Sequence, residues 1–391
     1  MSHDEIIAQI KGEEIADLAS SLIKFESVNP PGKEKEIAEY IASWFDKRGF
    51  ESVLTGETDG RPNVQVEFRG EEGRGRTLVL NGHMDVVPTG AGWTKDPFGG
   101  EIVGTRLYGR GSGDMKGALG AMMVTLDVLK KHRSRISGGI IFQAVVDEEV
   151  GSPIGTGHLV KRGVKADFAI VGEPTSLQVC TCHKGIINYE VITHGKAAHA
   201  SVPQTGVSAI LAMQEVIAGI SAYSKTLTRK VRHPLLGSPT VNIGVIEGGT
   251  KVNIVPDTCR IVGERRVVPP ETADKAASEV ESELRRIAKR KGIKCDVNVF
   301  RKIEPSEAKG GAGAIRAAVK AVGEVTGKRT KPIGFVATCD AHYLNNIAKI
   351  PTVICGPGNL TNIHNADEYV EIKELEQAGR IYAQTFLKNF Q

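Results

Sequence analysis

The amino-acid sequence predicts an α/β fold in which a mostly parallel, helix-covered sheet is interrupted by a smaller, inserted α+β domain. Two observations lead to this prediction. In the first half of the chain, short apolar runs at 77–80, 140–146 and 168–171 alternate with segments of helical periodicity, as in sheets whose parallel strands are joined by helices. Between about residues 186 and 300 the order of elements changes, and the first pattern returns afterwards.

The elements of the larger domain are predicted from the spacing of apolar residues. These recur with a period of about 3.6 residues in helices and at every second residue in half-buried strands. The predicted helices are 15–25, 37–45, 115–131, 312–323 and 372–390. The predicted strands are 63–68, 77–80, 140–146, 168–171 and 352–355.

The inserted segment has the order β-α-β-β-α-β, which is typical of a ferredoxin-like unit. Its predicted elements are strands at 186–193, 240–246, 259–266 and 295–300 and helices at 207–223 and 271–291. We therefore predict one α/β domain in two pieces, 1–179 and 299–391, with an inserted domain at 180–298.

Composition narrows the class of protein. The 391 residues are 40% hydrophobic and 25% charged with a net charge of +4, values that are ordinary for a globular protein. Basic and acidic residues are interspersed, so we expect no nucleic-acid partner. No apolar run reaches the ~20 residues of a membrane span. The six cysteines are sparse and the first residues carry no secretory pattern, so a cytoplasmic location is expected.

Five side chains that can bind metal ions follow predicted strands or glycine-rich turns. They are His83, Asp114, Glu149, Glu173 and His364. Ligands of open α/β sheets gather at the carboxyl ends of strands, so these groups are expected to meet there. Two imidazoles and three carboxylates suit two hydrolytic metal ions, with zinc expected first.

The residue types around these five suggest roles. Asp114 lies among glycines and can bridge two ions through its two oxygens. Asp85 follows His83 by two residues and suits the carboxylate that orients a ligating imidazole. Glu148 and Glu149 are adjacent, so one can bind metal while the other accepts a proton from the attacking water.

Several motifs of the chain together resemble the M20 metallopeptidase and amidohydrolase family, which includes acetylornithine deacetylases, succinyl-diaminopimelate desuccinylases, aminoacylases and carboxypeptidases. The matching segments are 27–32, 82–88, 93–98, 108–117, 147–149, 356–358 and 364–368. The resemblance extends over essentially the whole chain. It implies a catalytic zinc-hydrolase domain with an inserted lid domain through which subunits form dimers.

The resemblance also implies roles for individual residues, which we take as expectations. His83, Asp114 and Glu173 would hold one zinc ion, and Asp114, Glu149 and His364 the other, with Co²⁺ or Mn²⁺ as substitutes. Glu148 would be the general base, Asp85 would orient His83, and the peptide bond after Asp114 would be cis. In the inserted domain, His199 would stabilise the oxyanion in the partner's site, and Asn253 and Arg266 would bind substrate; Arg265 is the alternative to Arg266.

The expected function is zinc-dependent hydrolysis of the amide bond of an N-acyl amino acid, as in the deacetylases and desuccinylases. A di- or tripeptidase or carboxypeptidase of the same family is the alternative, and a binding protein that has lost catalysis is a further one. His342 stands where many desuccinylase-like members have a substrate-facing arginine. This departure disfavours a diaminopimelate-type substrate and slightly favours another N-acyl amino acid.

Overall fold

A computed structural model describes residues 2–72 and 75–388, which form two compact units. The first unit comprises the chain up to Cys182 together with Ala308–Phe335 and the residues from Cys339 onward. The second unit comprises His183–Glu307 and Val336–Thr338. The predicted boundaries at 179/180 and 298/299 are therefore displaced. The second boundary is later because the last strand of the inserted domain continues to Ile303, which pairs with Ile186.

The described residues contain the following helices and strands. The α-helices are α1 (His3–Ile7), α2 (Gly12–Ile23), α3 (Lys35–Asp46), α4 (Gly117–Lys130), α5 (Thr156–Lys161), α6 (Ala209–Lys230), α7 (Ala273–Lys291), α8 (Ala312–Thr326) and α9 (Ile372–Leu387). The strands are β1 (Ser52–Thr55), β2 (Asn63–Arg69), β3 (Thr77–His83), β4 (Ile102–Val103), β5 (Arg106–Tyr108), β6 (Gly139–Val145), β7 (Phe168–Val171), β8 (Cys180–His183), β9 (Gly185–His194), β10 (Val241–Gly248), β11 (Thr258–Val267), β12 (Lys294–Ile303), β13 (Ser306–Glu307), β14 (Ile333–Phe335), β15 (Thr352–Ile354) and β16 (Tyr369–Glu371).

The first unit is built on a mixed sheet with strand order β1-β2-β6-β3-β7-β15-β8. Its central strands β6, β3, β7 and β15 are parallel, and the pairs toward either edge are antiparallel. The predicted α/β fold class is confirmed. The fully buried β3 and β6 explain why these strands are continuous apolar runs in the sequence, since both faces of a parallel sheet are covered by helices.

Helix α4 forms the centre of the packing in the first unit. Every residue of α4 from Gly117 to Leu129 is buried, and the helix packs against α2 and α9. The predicted start of this helix at Met115 is two residues too early. Residues Ser112–Lys116 form a separate, irregular turn, in which Asp114 and Met115 have non-helical backbone angles and are joined by the expected cis peptide bond.

Strand register brings the carboxyl ends of the central strands to one edge of the sheet. His83 at the end of β3 lies opposite Val145 at the end of β6, and Asn81 lies opposite Val171 at the end of β7. The segments that follow β6 and β7 carry Glu148, Glu149 and Glu173. Residues far apart in the sequence are thereby placed beside the last residue of β3.

The second unit has the predicted β-α-β-β-α-β order, formed by β9, α6, β10, β11, α7 and β12. Its strands form an antiparallel sheet in the order β10-β11-β9-β12. Alternate residues of β9 are buried under the two helices, as the period of 2 requires. Among the described residues, no helix is both long and apolar enough to span a membrane.

Candidate metal centre

His83 is held in one orientation by a main-chain hydrogen bond. Its Nδ1–H donates to the backbone oxygen of Asp85 at 2.9 Å, which leaves Nε2 directed at Asp114 Oδ1, 3.0 Å away. From the sequence, this orienting role is predicted for the Asp85 carboxylate. In the structure the carboxylate oxygen nearest to Nδ1 is 3.7 Å away, because the chain turns after Met84 and presents the carbonyl group of Asp85 instead.

The Asp85 carboxylate contacts a different segment. Its oxygens accept the backbone N–H groups of Glu148 and Glu149, at 3.1 and 3.2 Å, and the side-chain amide of Asn29 at 2.8 Å. Asp85 is fully buried. Its carboxylate therefore fixes the turn that carries the two adjacent glutamates.

Asp114 lies between the two histidines of the predicted set. Its Oδ1 is 3.0 Å from His83 Nε2, and its Oδ2 is 3.3 Å from His364 Nε2. The two oxygens of one buried carboxylate thus face two different imidazoles. This is the arrangement that a bridging carboxylate requires.

One glutamate accompanies each histidine. Glu173 Oε1 is 3.8 Å from His83 Nε2, and Glu149 Oε1 is 3.5 Å from His364 Nε2. Glu148 Oε2 is also near His83, at 4.0 Å. The donor atoms of His83, Asp114 and Glu149 lie within 4.8 Å of one another, as do those of His83, Glu148 and Glu173. The structure therefore gathers all five predicted ligands and the predicted base in one cluster.

The electrostatics of this cluster suit a cation. Burial and the neighbouring Glu173 carboxylate raise the pKa of Glu148 well above its usual value, and burial and Asp114 do the same for Glu173. Hydrogen bonds to Asp114 and Glu149 raise the pKa of His364 to about 10. Glu173 Oε1 is buried yet accepts no hydrogen bond from any residue that the structure describes, and the buried Glu149 Oε1 has no described donor closer than His364 Nε2, 3.5 Å away. Metal ions would satisfy these oxygens and neutralise the crowded carboxylates.

The predicted substrate residues belong to the second unit. His199 is exposed, and the backbone N–H of Ser201 donates to its Nδ1 at 3.2 Å. Asn253 is exposed and adjoins the same loop, since its backbone oxygen accepts the N–H of Ala200 at 3.0 Å. Arg266 is half-buried on β11, with its Nε 2.8 Å from Glu264.

The two neighbouring arginines differ in burial. Arg265 is fully buried and donates to Tyr223, Glu271 and Glu279 within the second unit at 2.9, 2.5 and 2.8 Å. An arginine whose guanidinium is bound in this way is structural, whereas Arg266 is half-buried, and its role in binding substrate stays a prediction.

His342 is buried rather than directed to solvent. Its Nδ1–H donates to the backbone oxygen of Cys339 at 2.9 Å, and burial lowers its pKa to about 4. The ring is therefore neutral near pH 7. It does not replace the positive charge that an arginine would supply at this position.

Two carboxylates near the cluster received no role in the sequence analysis. Asp340 is buried and accepts hydrogen bonds from Ser152 and Thr156 at 2.9 and 2.6 Å, and burial raises its pKa to about 7. Glu368 is buried against the glycine-rich turn that carries Asp114. Glu368 lies in a motif noted from the sequence, but apart from Arg110 the donors to these two carboxylates are backbone N–H or hydroxyl groups, whose positions no residue pattern reveals.

Comparison with known proteins identifies the family. The family model described as peptidase family M20/M25/M40 matches residues 79–388. The chain belongs to this family. The M20 family consists of metal-dependent hydrolases, and this chain is a hydrolytic enzyme that acts on amide bonds.

Curated relatives of this M20 chain include enzymes that remove small acyl groups. It is 30% identical to an N-formyl-4-amino-5-aminomethyl-2-methylpyrimidine deformylase of Bacillus subtilis, over 94% of this chain and 93% of the relative. It is 28% identical to an acetylornithine deacetylase of Yersinia pseudotuberculosis, over 88% of each chain. Among solved structures, it resembles an M20 metallo-carboxypeptidase of Sulfolobus solfataricus with a TM-score of 0.80, at 20% identity, over 96% of this chain and 99% of the other. That likeness concerns the fold.

Proposed function

We propose that this M20 protein is a dizinc hydrolase that cleaves the amide bond of an N-acyl amino acid. The observation that carries the proposal is the position of Asp114, whose two oxygens face His83 and His364 at 3.0 and 3.3 Å. Because Glu173 and Glu149 add one carboxylate on each side, the cluster offers two sets of ligands that share Asp114. We assign His83, Asp114 and Glu173 to one ion and Asp114, Glu149 and His364 to the other.

The bound ions would polarise the substrate carbonyl and lower the pKa of water to about 7. Co²⁺ or Mn²⁺ could take the place of zinc, since the same oxygen and nitrogen ligands bind them.

Glu148 is assigned as the general base. Its carboxylate is held at the cluster by the Asp85 contact to its backbone N–H, and its Oε2 lies 4.0 Å from His83. A glutamate with a raised pKa can accept a proton from the attacking water and return it to the leaving nitrogen. Proton transfer of this kind contributes about 100- to 10,000-fold to the rate.

Substrate contacts are proposed for three residues of the second unit. Since the Ser201 N–H donates to His199 Nδ1, the ring proton of a neutral His199 is on Nε2, which is available to donate to a developing oxyanion. Asn253 and Arg266 are proposed to bind the carbonyl and the carboxylate of the substrate, because an exposed amide and a guanidinium suit these groups.

The acyl group is expected to be small. Two relatives are named for removing formyl and acetyl groups, and His342 supplies no positive charge for a second carboxylate such as a succinyl group carries. The alternative is a di- or tripeptidase or carboxypeptidase, since the similar folds include a carboxypeptidase. The cytoplasmic location stays a prediction from the sequence.

We also propose that two copies associate through the second unit. Strand β10 lies at an edge of its sheet and pairs with β11 on one side. Ile246 on this strand is 59% exposed, and Leu211 on α6 is 65% exposed. An exposed apolar edge strand is suited to pair with the same strand of a second copy about a two-fold axis.

The function is tested by metal analysis together with a substrate panel. Purified protein loaded with Zn²⁺ is expected to retain two ions per chain and to hydrolyse N-acetyl or N-formyl amino acids with higher kcat/KM than dipeptides or N-succinyl-diaminopimelate. Faster hydrolysis of dipeptides would favour the alternative. Absence of amide hydrolysis across the panel, with two ions bound, would contradict the assigned substrate class.

A further inference from the structure

Glu368 holds the turn that carries Asp114. Its Oε1 accepts three backbone N–H groups, from Gly111, Gly113 and Asp114, at 3.1, 3.0 and 3.2 Å. Its Oε2 accepts a hydrogen bond from the guanidinium of Arg110. Glu368 and Arg110 are each 1% exposed. One buried carboxylate therefore receives four donors from the five residues Arg110–Asp114.

The backbone conformation of this turn depends on glycine. Gly111 has a φ of +89°, a left-handed angle that glycine adopts without steric cost. The turn thereby directs several N–H groups at one oxygen, and an anion in such a backbone concavity is strongly bound. With these donors satisfied, the backbone of Asp114 has a fixed position although its neighbours are irregular.

Glu368 also connects the two sides of the metal centre. It follows His364 by four residues in the same segment, and its own backbone oxygen accepts the N–H of Gly109 at 2.9 Å. The adjacent Tyr369 begins β16 and pairs with Tyr108 on β5. The segment that supplies His364 is thus bound to the turn that supplies Asp114, through both the side chain and the backbone of Glu368.

We propose that Glu368 is a positioning residue that sets the bridging carboxylate of Asp114 relative to His83 and His364. This inference rests on the proposed dizinc function and adds a residue to which no role was assigned. If Asp114 shifts, both of its imidazole contacts change. Loss of Glu368 should therefore weaken both metal positions, whereas loss of His364 should weaken one.

The test is calorimetric titration of the metal-free, full-length protein with Zn²⁺, using a competing chelator. Groups that support metal ligands contribute about 10- to 100-fold to metal affinity. We expect both stepwise affinities of Glu368→Ala to fall by about this factor, and those of Glu368→Gln to fall less, because glutamine keeps an acceptor oxygen for the three N–H groups. His364→Ala should lose affinity in one step.

Two controls separate this effect from general destabilisation. Asp367→Asn changes the neighbouring carboxylate, which accepts hydrogen bonds from Thr94 and Lys95, and it should leave both zinc affinities unchanged. If Glu368→Ala fails to fold because Arg110 remains buried without its partner, the double variant Glu368→Gln/Arg110→Gln removes both charges and should still weaken both steps.

The outcomes distinguish this inference from the proposed function. Folded Glu368 variants that bind two Zn²⁺ ions as tightly as the wild type, with only a lower melting temperature, would overturn the positioning role alone. A wild-type protein that binds fewer than two Zn²⁺ ions would overturn the proposed function together with this inference.

Discussion

His83 and Asp85 are joined through the backbone oxygen of Asp85, which accepts the Nδ1–H of His83 at 2.9 Å, while the Asp85 carboxylate accepts the N–H groups of Glu148 and Glu149. One residue thus orients a proposed ligand with its main chain and a proposed base with its side chain. The two functions can be separated by mutation, since a side-chain substitution leaves the carbonyl group in place.

Asp85→Asn is expected to lower kcat by about 10- to 100-fold with little change in zinc content. The amide nitrogen cannot accept the second N–H group, and it faces the donating amide of Asn29, so the turn at Glu148 loosens. Steady-state kinetics with metal analysis measures both quantities. If the variant loses zinc while those molecules that still hold zinc keep the wild-type kcat, the Asp85 carboxylate would instead have the role of orienting His83.

Glu148→Gln is expected to lower kcat by about 100- to 10,000-fold while two metal ions remain bound. Glutamine has the same shape but cannot accept the proton of water at neutral pH. Glu149→Gln is the matched comparison: it removes a proposed ligand one residue away and should reduce metal content as well as rate. Substantial turnover by metal-loaded Glu148→Gln would show that another group is the base.

Zinc binding to the metal-free protein should release protons and strengthen as pH rises. Hydrogen bonds to Asp114 and Glu149 raise the pKa of His364 to about 10, so this imidazole is protonated near pH 7 and must lose its proton to bind metal. Affinity should rise about tenfold per pH unit for each proton released between about pH 6 and 8. Calorimetry in buffers of different ionisation enthalpy counts these protons. An affinity that is independent of pH would contradict His364 as a ligand.

Ile246→Lys is expected to convert a dimer into monomers, because it places a charge on the exposed strand β10. Val53→Lys is the matched control: Val53 is 47% exposed on the edge strand β1 of the first unit, and its substitution should leave the dimer intact. Analytical ultracentrifugation measures the mass of each. A wild-type protein that sediments as a monomer would rule out the proposed association.

Gly356→Ala is expected to destabilise the first unit by about 1–3 kcal/mol or more. An added Cβ would lie 2.0 Å from the backbone oxygen of Gly172 and 2.6 Å from that of Glu173, so the segment bearing a proposed ligand must move. Gly313→Ala on α8 is the control, since its Cβ would meet nothing within 4 Å and alanine favours the helix. Thermal or urea unfolding compares the two. Equal stability of both variants would contradict the close approach at Gly356.

The sequence alone predicts the fold class, the order of the inserted domain and the residues of the metal cluster. These features depend on apolar periodicity and on residue types at strand ends, and both are visible in a one-dimensional pattern. Asp85 is also predicted in this way. The sequence does not predict which of its oxygens accepts the Nδ1–H of His83, because the direction of the backbone after Met84 determines this. Glu368 is not predicted for a related reason: apart from Arg110, its donors are backbone N–H groups, which every residue except proline carries.

The position of the insertion has a consequence for biosynthesis. His83, Asp114, Glu149 and Glu173 precede the second unit in the chain, whereas His364 and Glu368 follow it. A nascent polypeptide synthesised only as far as the second unit contains an incomplete set of proposed ligands, and the turn at Asp114 lacks the carboxylate that fixes it. On the proposed assignment, the ion held by Asp114, Glu149 and His364 can be bound only after the C-terminal segment has been synthesised, so full metal loading follows the synthesis of that segment.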